Sequence, residues 1–273
     1  MLDLAFVRRG EHTILSRRRF THPLQALEPV RAGDGTLYLM MLNTSGGMVG
    51  GDRLRTRVDI GPDAAVALTT ASASKAYRST GAAAIQESII RIGRGATLEF
   101  LPEHLIPHPG SIVHQLLRVE MEAGSRAIIY DAIAAGRIGR GESWNLTELR
   151  SETILTRETR PVYISRARIA PTLQPPSEVG LAQGFGYLGS LVIVADHNAG
   201  GAHYQWSELS DAIDAALRDS PRVCGGVSEL ACGGCVVRLM VQRAGDLNAT
   251  AHRLWAIARR FLLGRDAFDW RKF

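Results

Sequence analysis

At 273 residues, 45% of them hydrophobic, the chain can bury a sizeable core and reads as globular rather than disordered. Its formal net charge of +5 rests almost wholly on arginine, with Lys75 and Lys272 the only lysines, and so thin a surplus describes a solvated surface better than a nucleic-acid footprint. The odd number of cysteines (Cys224, Cys232 and Cys235) argues against a disulfide framework, and no apolar run nears the roughly 20 residues needed to span a bilayer. With no long apolar segment among the first residues either, the expected location is the cytosol.

Between Leu2 and Leu15 the apolar residues alternate on either side of Arg9-Gly10-Glu11, which predicts two short strands. Further strands are predicted from Thr36 to Leu42, Leu54 to Ile60, Ala64 to Thr70, Ala84 to Ile92, Thr97 to Leu101, Ser111 to Met121 and Ala127 to Ile133. Turn signals such as Gly61-Pro62-Asp63, Gly93-Arg94-Gly95 and Glu122-Ala123-Gly124-Ser125 separate them. A strand roughly every ten residues means an all-β sandwich, barrel or solenoid, and the regularity favours stacked sheets. Strands from Thr147 to Thr156 and from Pro161 to Ile169 follow a glycine-arginine loop, Gly136 to Glu142, and Tyr187 to Ala195 reads as a buried strand after the Pro- and Gly-rich loop from Pro171 to Gly186. Two amphipathic helices close the chain around a strand from Cys235 to Val241. Ser207 is the expected N-cap of the first, Asp246 or Asn248 of the second, and Gly264 ends it.

The most distinctive stretch is the elbow Asn43-Thr44-Ser45-Gly46-Gly47-Met48-Val49-Gly50-Gly51-Asp52 between two predicted strands. It lacks the Gly-Lys-Ser/Thr ending of a P-loop and no helical pattern follows it, so it is either a tight structural turn with Asp52 capping its own backbone or a site that uses that carboxylate. Ser72-Ala73-Ser74-Lys75 matches the Ser-x-x-Lys of serine acyl-enzymes, a chemistry that places Ser72 and Lys75 one helical turn apart; here they follow a strand. Lys75 itself stands out because the chain writes nearly every other cation as arginine.

Cys232-Gly233-Gly234-Cys235, with Cys224 upstream, suggests either a zinc or thiol module or buried structural cysteines. His104, His108 and His114 are either solvated loop residues or a transient site for a borderline metal such as Ni²⁺, and Pro102, Pro107 and Pro109 exclude a helix there. Glu99 and Asp131 each place a carboxylate inside an apolar strand. One would ordinarily face outward; two, with Asp52, suggest an internal polar path through a β core.

The elbow, Thr69-Thr70, Ser74-Lys75-Ala76-Tyr77-Arg78-Ser79 and Leu98-Glu99-Phe100-Leu101-Pro102, in that order and spacing, resemble the urease accessory protein UreD (UreH) family. Leu2-Asp3-Leu4, the Asp131 strand with Gly136-Arg137 and Gly141-Glu142 after it, and Leu254-Trp255 add to the likeness, which covers nearly the whole chain. It implies one UreD-like domain over 1–273, β-rich over 1–195 with a helix-strand-helix region at 205–265 packed on it. It also implies a non-enzymatic, cytoplasmic scaffold that docks on the urease structural subunits, recruits the accessory protein UreF and the GTPase UreG, and holds no permanent cofactor. Ni²⁺ would pass transiently along a polar tunnel, whose candidates here are Asp52, Ser74 and Asp131, while Gly46, Gly47, Gly50, Gly51, Lys75, Tyr77, Arg78 and Glu99 belong to the structural motif. The chain departs from the family pattern at Thr44-Ser45, which replace a frequent double proline, at Ser165, where some relatives place an acid, in Cys232 and Cys235, and in its ending Asp269-Trp270-Arg271-Lys272-Phe273. The alternatives are an acyl-transfer hydrolase using Ser72 and Lys75 and a zinc or thiol module at Cys232 and Cys235.

Overall fold

Alternating strands and regular turns wind the middle of the chain into stacked coils, each built from one strand of each of two sheets. The computed structural model describes residues 1–196 and 204–268. A hairpin, β1 (Leu2–Arg9) and β2 (His12–Phe20), leads through β3 (Leu24–Ala26) and β4 (Val30–Arg31) into the coils. These comprise β5 (Leu37–Asn43), β6 (Arg53–Ile60), β7 (Ala65–Thr70), β8 (Ser74–Ala76), β9 (Ala84–Ile92), β10 (Thr97–Leu101), β11 (Leu105–Pro107), β12 (Ile112–Met121), β13 (Arg126–Ala134) and β14 (Glu148–Arg157). Then come β15 (Arg160–Ile169), β16 (Tyr187–Ala195), α1 (Trp206–Arg218), β17 (Val223–Glu229), β18 (Gly234–Val241) and α2 (Ala244–Leu263).

One sheet runs β15-β14-β12-β9-β6-β1-β2 and the other β17-β18-β16-β13-β10-β7-β5-β3. β6, β9, β12 and β14 pair in parallel in the first, and β5, β7, β10 and β13 in the second, so successive coils repeat at a strand spacing of about 4.8 Å. The solenoid-like all-β architecture expected from strand spacing is therefore present. Two apolar cores hold it. Val66, Leu98 and Ile129 of the second sheet face Val58, Ile90 and Val119 of the first, while Ile128, Leu191 and Val237 lie on the opposite face beneath Ile213 and Leu217 of α1 and Leu254 and Trp255 of α2. No helix among the described residues is long and apolar enough to cross a membrane.

Several local expectations need correction. α1 starts one residue before Ser207, with Gln205 as its N-cap, and α2 starts after Arg243, ahead of both Asp246 and Asn248. Asp246 instead sits in the first turn of α2, where a negative charge is favourable, and pairs with Arg222. Gly264 does end α2 in the left-handed conformation. Cys224 is exposed rather than buried, because β17 is an edge strand. The chain's ending, Asp269 to Phe273, lies outside the described residues.

Candidate functional site

The elbow joins β5 to β6 at the end of the coils where the connections are long. Asn43 Oδ1 accepts from the Ser45 N–H and hydroxyl, and Asp52 Oδ2 accepts from the Val49 N–H at 2.9 Å, so both ends of the elbow are fastened by its own side chains. It also docks on the next coil: the Met48 N–H donates to Lys75 O at 2.7 Å, the Tyr77 N–H to Met48 O at 2.8 Å, and the Tyr77 hydroxyl to Gly46 O at 3.2 Å. A Cβ on Gly47 would lie 2.6 Å from Tyr77 Cε2 and 2.8 Å from Lys75 O, which is why the close approach requires glycine. Gly47→Ala is therefore expected to destabilise the protein by about 1–3 kcal/mol, read as a lower urea midpoint at unchanged m-value.

Beneath the elbow a cavity of about 170 Å³ opens between the sheets, lined by Gly46, Gly47, Ser74, Lys75 and Asp131 among others. Its floor is unusual for a β core. Leu54, Gln86, Gln115 and Ser151 are paired neighbours across β6, β9, β12 and β14, and the next inward rung reads Thr56, Ser88, Leu117 and Thr153. All of them line the cavity, so oxygen- and amide-bearing side chains run along the coil axis where the rungs beyond are aliphatic. Gln115 Nε2 donates to Gln86 Oε1 at 3.0 Å, but Gln115 Oε1 is buried without a hydrogen-bond partner among the described residues. Unpaired buried oxygens of this kind suit water or a cation.

A second cavity, of about 410 Å³, shares Asp131, Ser151 and Thr153 with the first and continues past Tyr163, Ser165 and Arg238. Asp131, Ser190 and Arg238 form one rung across β13, β16 and β18. Burial raises the Asp131 carboxyl above its ordinary value, opposed by the positive Arg238 and by a hydrogen bond from the Ala132 backbone. Arg238 Nη2 donates to Tyr163 Oη at 2.8 Å and to Ser165 Oγ at 2.7 Å. Ser165, the position where some relatives place an acid, thus serves as the arginine's acceptor.

Of the three tunnel candidates, Ser74 and Asp131 share the first cavity, whereas Asp52 is not on its lining and its carboxylate holds the elbow. Glu99 lies on the other face of its sheet, fully buried between Trp255 and Arg259, and takes no part in the cavity. Ser72 sits in a bend and Lys75 on β8, so the helical spacing of a Ser-x-x-Lys site is not formed. The cysteines separate: the Cys232 thiol donates to Val162 O, and Cys235 is buried, its thiol pushed up to about 12 by burial first. The histidines separate as well. His104 packs edge-on against Tyr187, His114 lies 3.4 Å from Glu148, and His108 packs on Tyr77 with its pKa lowered by burial and then by Arg137. Among the described residues no group of three or more His, Cys, Asp or Glu is placed to hold a metal.

The site residues that sequence reasoning missed are the inward polar rungs and Arg238. Their signal is a polar residue at an inward parity in successive strands, which becomes visible only once the register is known.

A family model described as UreD urease accessory protein matches residues 1–272. The chain belongs to the UreD urease accessory protein family. It is 31% identical to the urease accessory protein UreD of Delftia acidovorans over 98% of this chain and 91% of that protein, and 30% identical to that of Herpetosiphon aurantiacus over 96% and 92%. The UreD of Mycolicibacterium gilvum is 35% identical over 91% of this chain and 87% of its own length. In this UreD-family chain the elbow and the Ser74–Ala76 strand, two of the motifs that carried the resemblance, meet at the mouth of the first cavity.

Proposed function

We propose that the chain is a non-catalytic scaffold in urease maturation: it binds the urease apoprotein together with UreF and the GTPase UreG, and passes Ni²⁺ along the interior path from the elbow past Ser74 and Asp131 into the second cavity. The observation that carries this reading is the run of oxygen donors through a β core, which has no packing rationale of its own. Hydroxyl, amide and single carboxylate ligands hold a borderline cation weakly, and weak holding suits a cargo that must be released. Asp131 and Ser74 are the transient ligands. Asp52 contributes by keeping the elbow in place at the cavity mouth.

The test is co-expression with the urease subunits, UreF and UreG, followed by metal analysis of the purified urease and a pull-down of the complex. Removal of this chain is expected to leave urease nickel-poor, and Asp131→Ala to do the same with the complex intact; normal nickel content in Asp131→Ala would end the path. Asp52→Asn keeps an acceptor for the Val49 N–H and is expected to work better than Asp52→Ala. Equal loss in both would make Asp52 a ligand instead of a fastening.

A further inference from the structure

We infer that the chain binds a phosphate-class oxyanion in an arginine-lined cavity at the tight-turn end of the coils, separate from the path above. The cavity measures about 360 Å³ and four guanidinium groups reach it from distant parts of the chain: Arg8 at the end of β1, Arg94 in the β9–β10 turn, Arg126 at the start of β13 and Arg265 just beyond α2. Among the described residues Asp63 is the only carboxylate on its lining.

Strand register explains the placement. Ala65, Thr97 and Arg126 are paired neighbours on β7, β10 and β13, and they share the sheet face that carries α2. Two residues further along β10 on the same face, Glu99 takes Arg259 at 3.0 Å. Arg126 has no such partner among the described residues: its Nε is buried and unbonded. The Arg94 guanidinium has no hydrogen bond or ion pair among the described residues. Among the described residues Arg8 donates only to the backbone oxygens of Gly10 and Asp63, and Arg265 Nη1 donates to Thr36 Oγ1 at 3.3 Å and lies 3.8 Å from an Asp34 carboxylate that Arg259 already holds at 2.5 Å.

Arg17, Arg55, Arg91 and Arg168, by contrast, each meet a carboxylate within 3.0 Å. Four guanidiniums around a cavity, with Asp63 on its lining and only a shared Asp34 beside Arg265, repel one another, and a buried unbonded donor adds a desolvation cost; an anion offsets both. A single carboxylate would balance one charge. A phosphate offers multiple charge and several acceptor oxygens to the planar guanidinium forks, which match them two at a time. Free phosphate and a phosphate ester or anhydride share this chemistry.

The experiment uses the full chain in sodium chloride of fixed ionic strength, titrated with inorganic phosphate, pyrophosphate, glycerol 3-phosphate or citrate, with calorimetry and thermal unfolding as readouts. Saturable binding of at least one phosphate compound, with a rise in Tm that follows occupancy, is expected. Arg94→Ala, a change at an exposed turn residue, should weaken that binding about tenfold or more, and Arg126→Gln should abolish it. If Arg126→Gln does not fold, Arg94→Ala decides alone. Absence of saturable binding, or equal binding by Arg94→Ala and the parent, would overturn the site. Citrate binding more tightly than every phosphate compound would overturn the phosphate assignment. The separate sources are told apart by whether free phosphate, the ester or the anhydride binds most tightly.

Discussion

Arg259→Met is expected to cost the fold about 3–5 kcal/mol, the typical loss when one partner of a buried ion pair is removed and the other stays behind. Arg259 is fully buried in α2. Its Nε donates to Glu99 Oε2 at 3.0 Å and Oε1 at 3.2 Å, its Nη2 to Asp34 at 2.5 Å and Thr36 Oγ1 at 3.0 Å, and its Nη1 to the Asp266 carbonyl at 2.5 Å. Trp255 Nε1 donates to the same Glu99 at 2.6 Å, and the guanidinium lies 5.6 Å from the Trp255 ring centre and 4.7 Å from that of Phe268. One residue therefore fastens α2, the middle of the second sheet, the loop before β5 and the segment after α2.

The pH dependence identifies the cause. Burial already raises the Glu99 carboxyl, and Arg259 is the main force opposing that rise, so the methionine variant should raise it further. A carboxyl whose pKa is raised in the folded state favours folding below its unfolded value, and that contribution is lost as pH rises through the folded one. The deficit of Arg259→Met should therefore shrink as pH falls from 7 towards 4. In urea denaturation the double variant Glu99→Gln/Arg259→Met should lose less than Arg259→Met alone. A deficit independent of pH and unrelieved in the double variant would mean that lost packing, not a stranded carboxylate, is responsible.

Glu99 and Asp131 also illustrate how much of this protein was legible in its sequence. Both stood out as carboxylates in apolar strands, and Glu99 proves to be the centre of a buried ion pair while Asp131 borders both cavities. Their separation was not legible, because the second sheet is covered on both faces and alternation alone does not say which face is the interior of the coil. The register decides it: Glu99 pairs with Ile128, and Asp131, three residues further along β13, points to the other face. One carboxylate thus meets α2 and the other meets the cavity. The coils themselves were legible from turn spacing, but β8 and β11, three residues each, carry no alternation and exist because the long connections stack on one another. The elbow was legible as a tight turn fastened by Asp52; what its glycines approach, Tyr77 and Lys75 O, was not.

Asp131→Asn is expected to oppose stability to function: a Tm higher by a few degrees at neutral pH, together with urease left poor in nickel. The groups facing Asp131 are Ser190 and Arg238 on its own rung and Ser151 and Thr153 across the cavity, so one cation with no hydrogen bond to it stands against the desolvation of a half-buried carboxyl. Burial prevails, and the raised carboxyl makes its ionised form a cost to folding that grows as pH climbs from the ordinary aspartate value through the raised one. An amide of the same shape removes that cost. The gain should be greatest in thermal scans at pH 7.5 and fade as pH is lowered towards 4, where the parent's own carboxyl is protonated; a gain that is flat across this range would point to packing instead. Arg238 keeps Tyr163 and Ser165 as acceptors in the variant, so it is not stranded. Asparagine would therefore relieve a cost to the fold that the carboxyl at the meeting point of two cavities carries whenever it is ionised, and the nickel content of urease read beside the Tm decides whether that cost serves the proposed path.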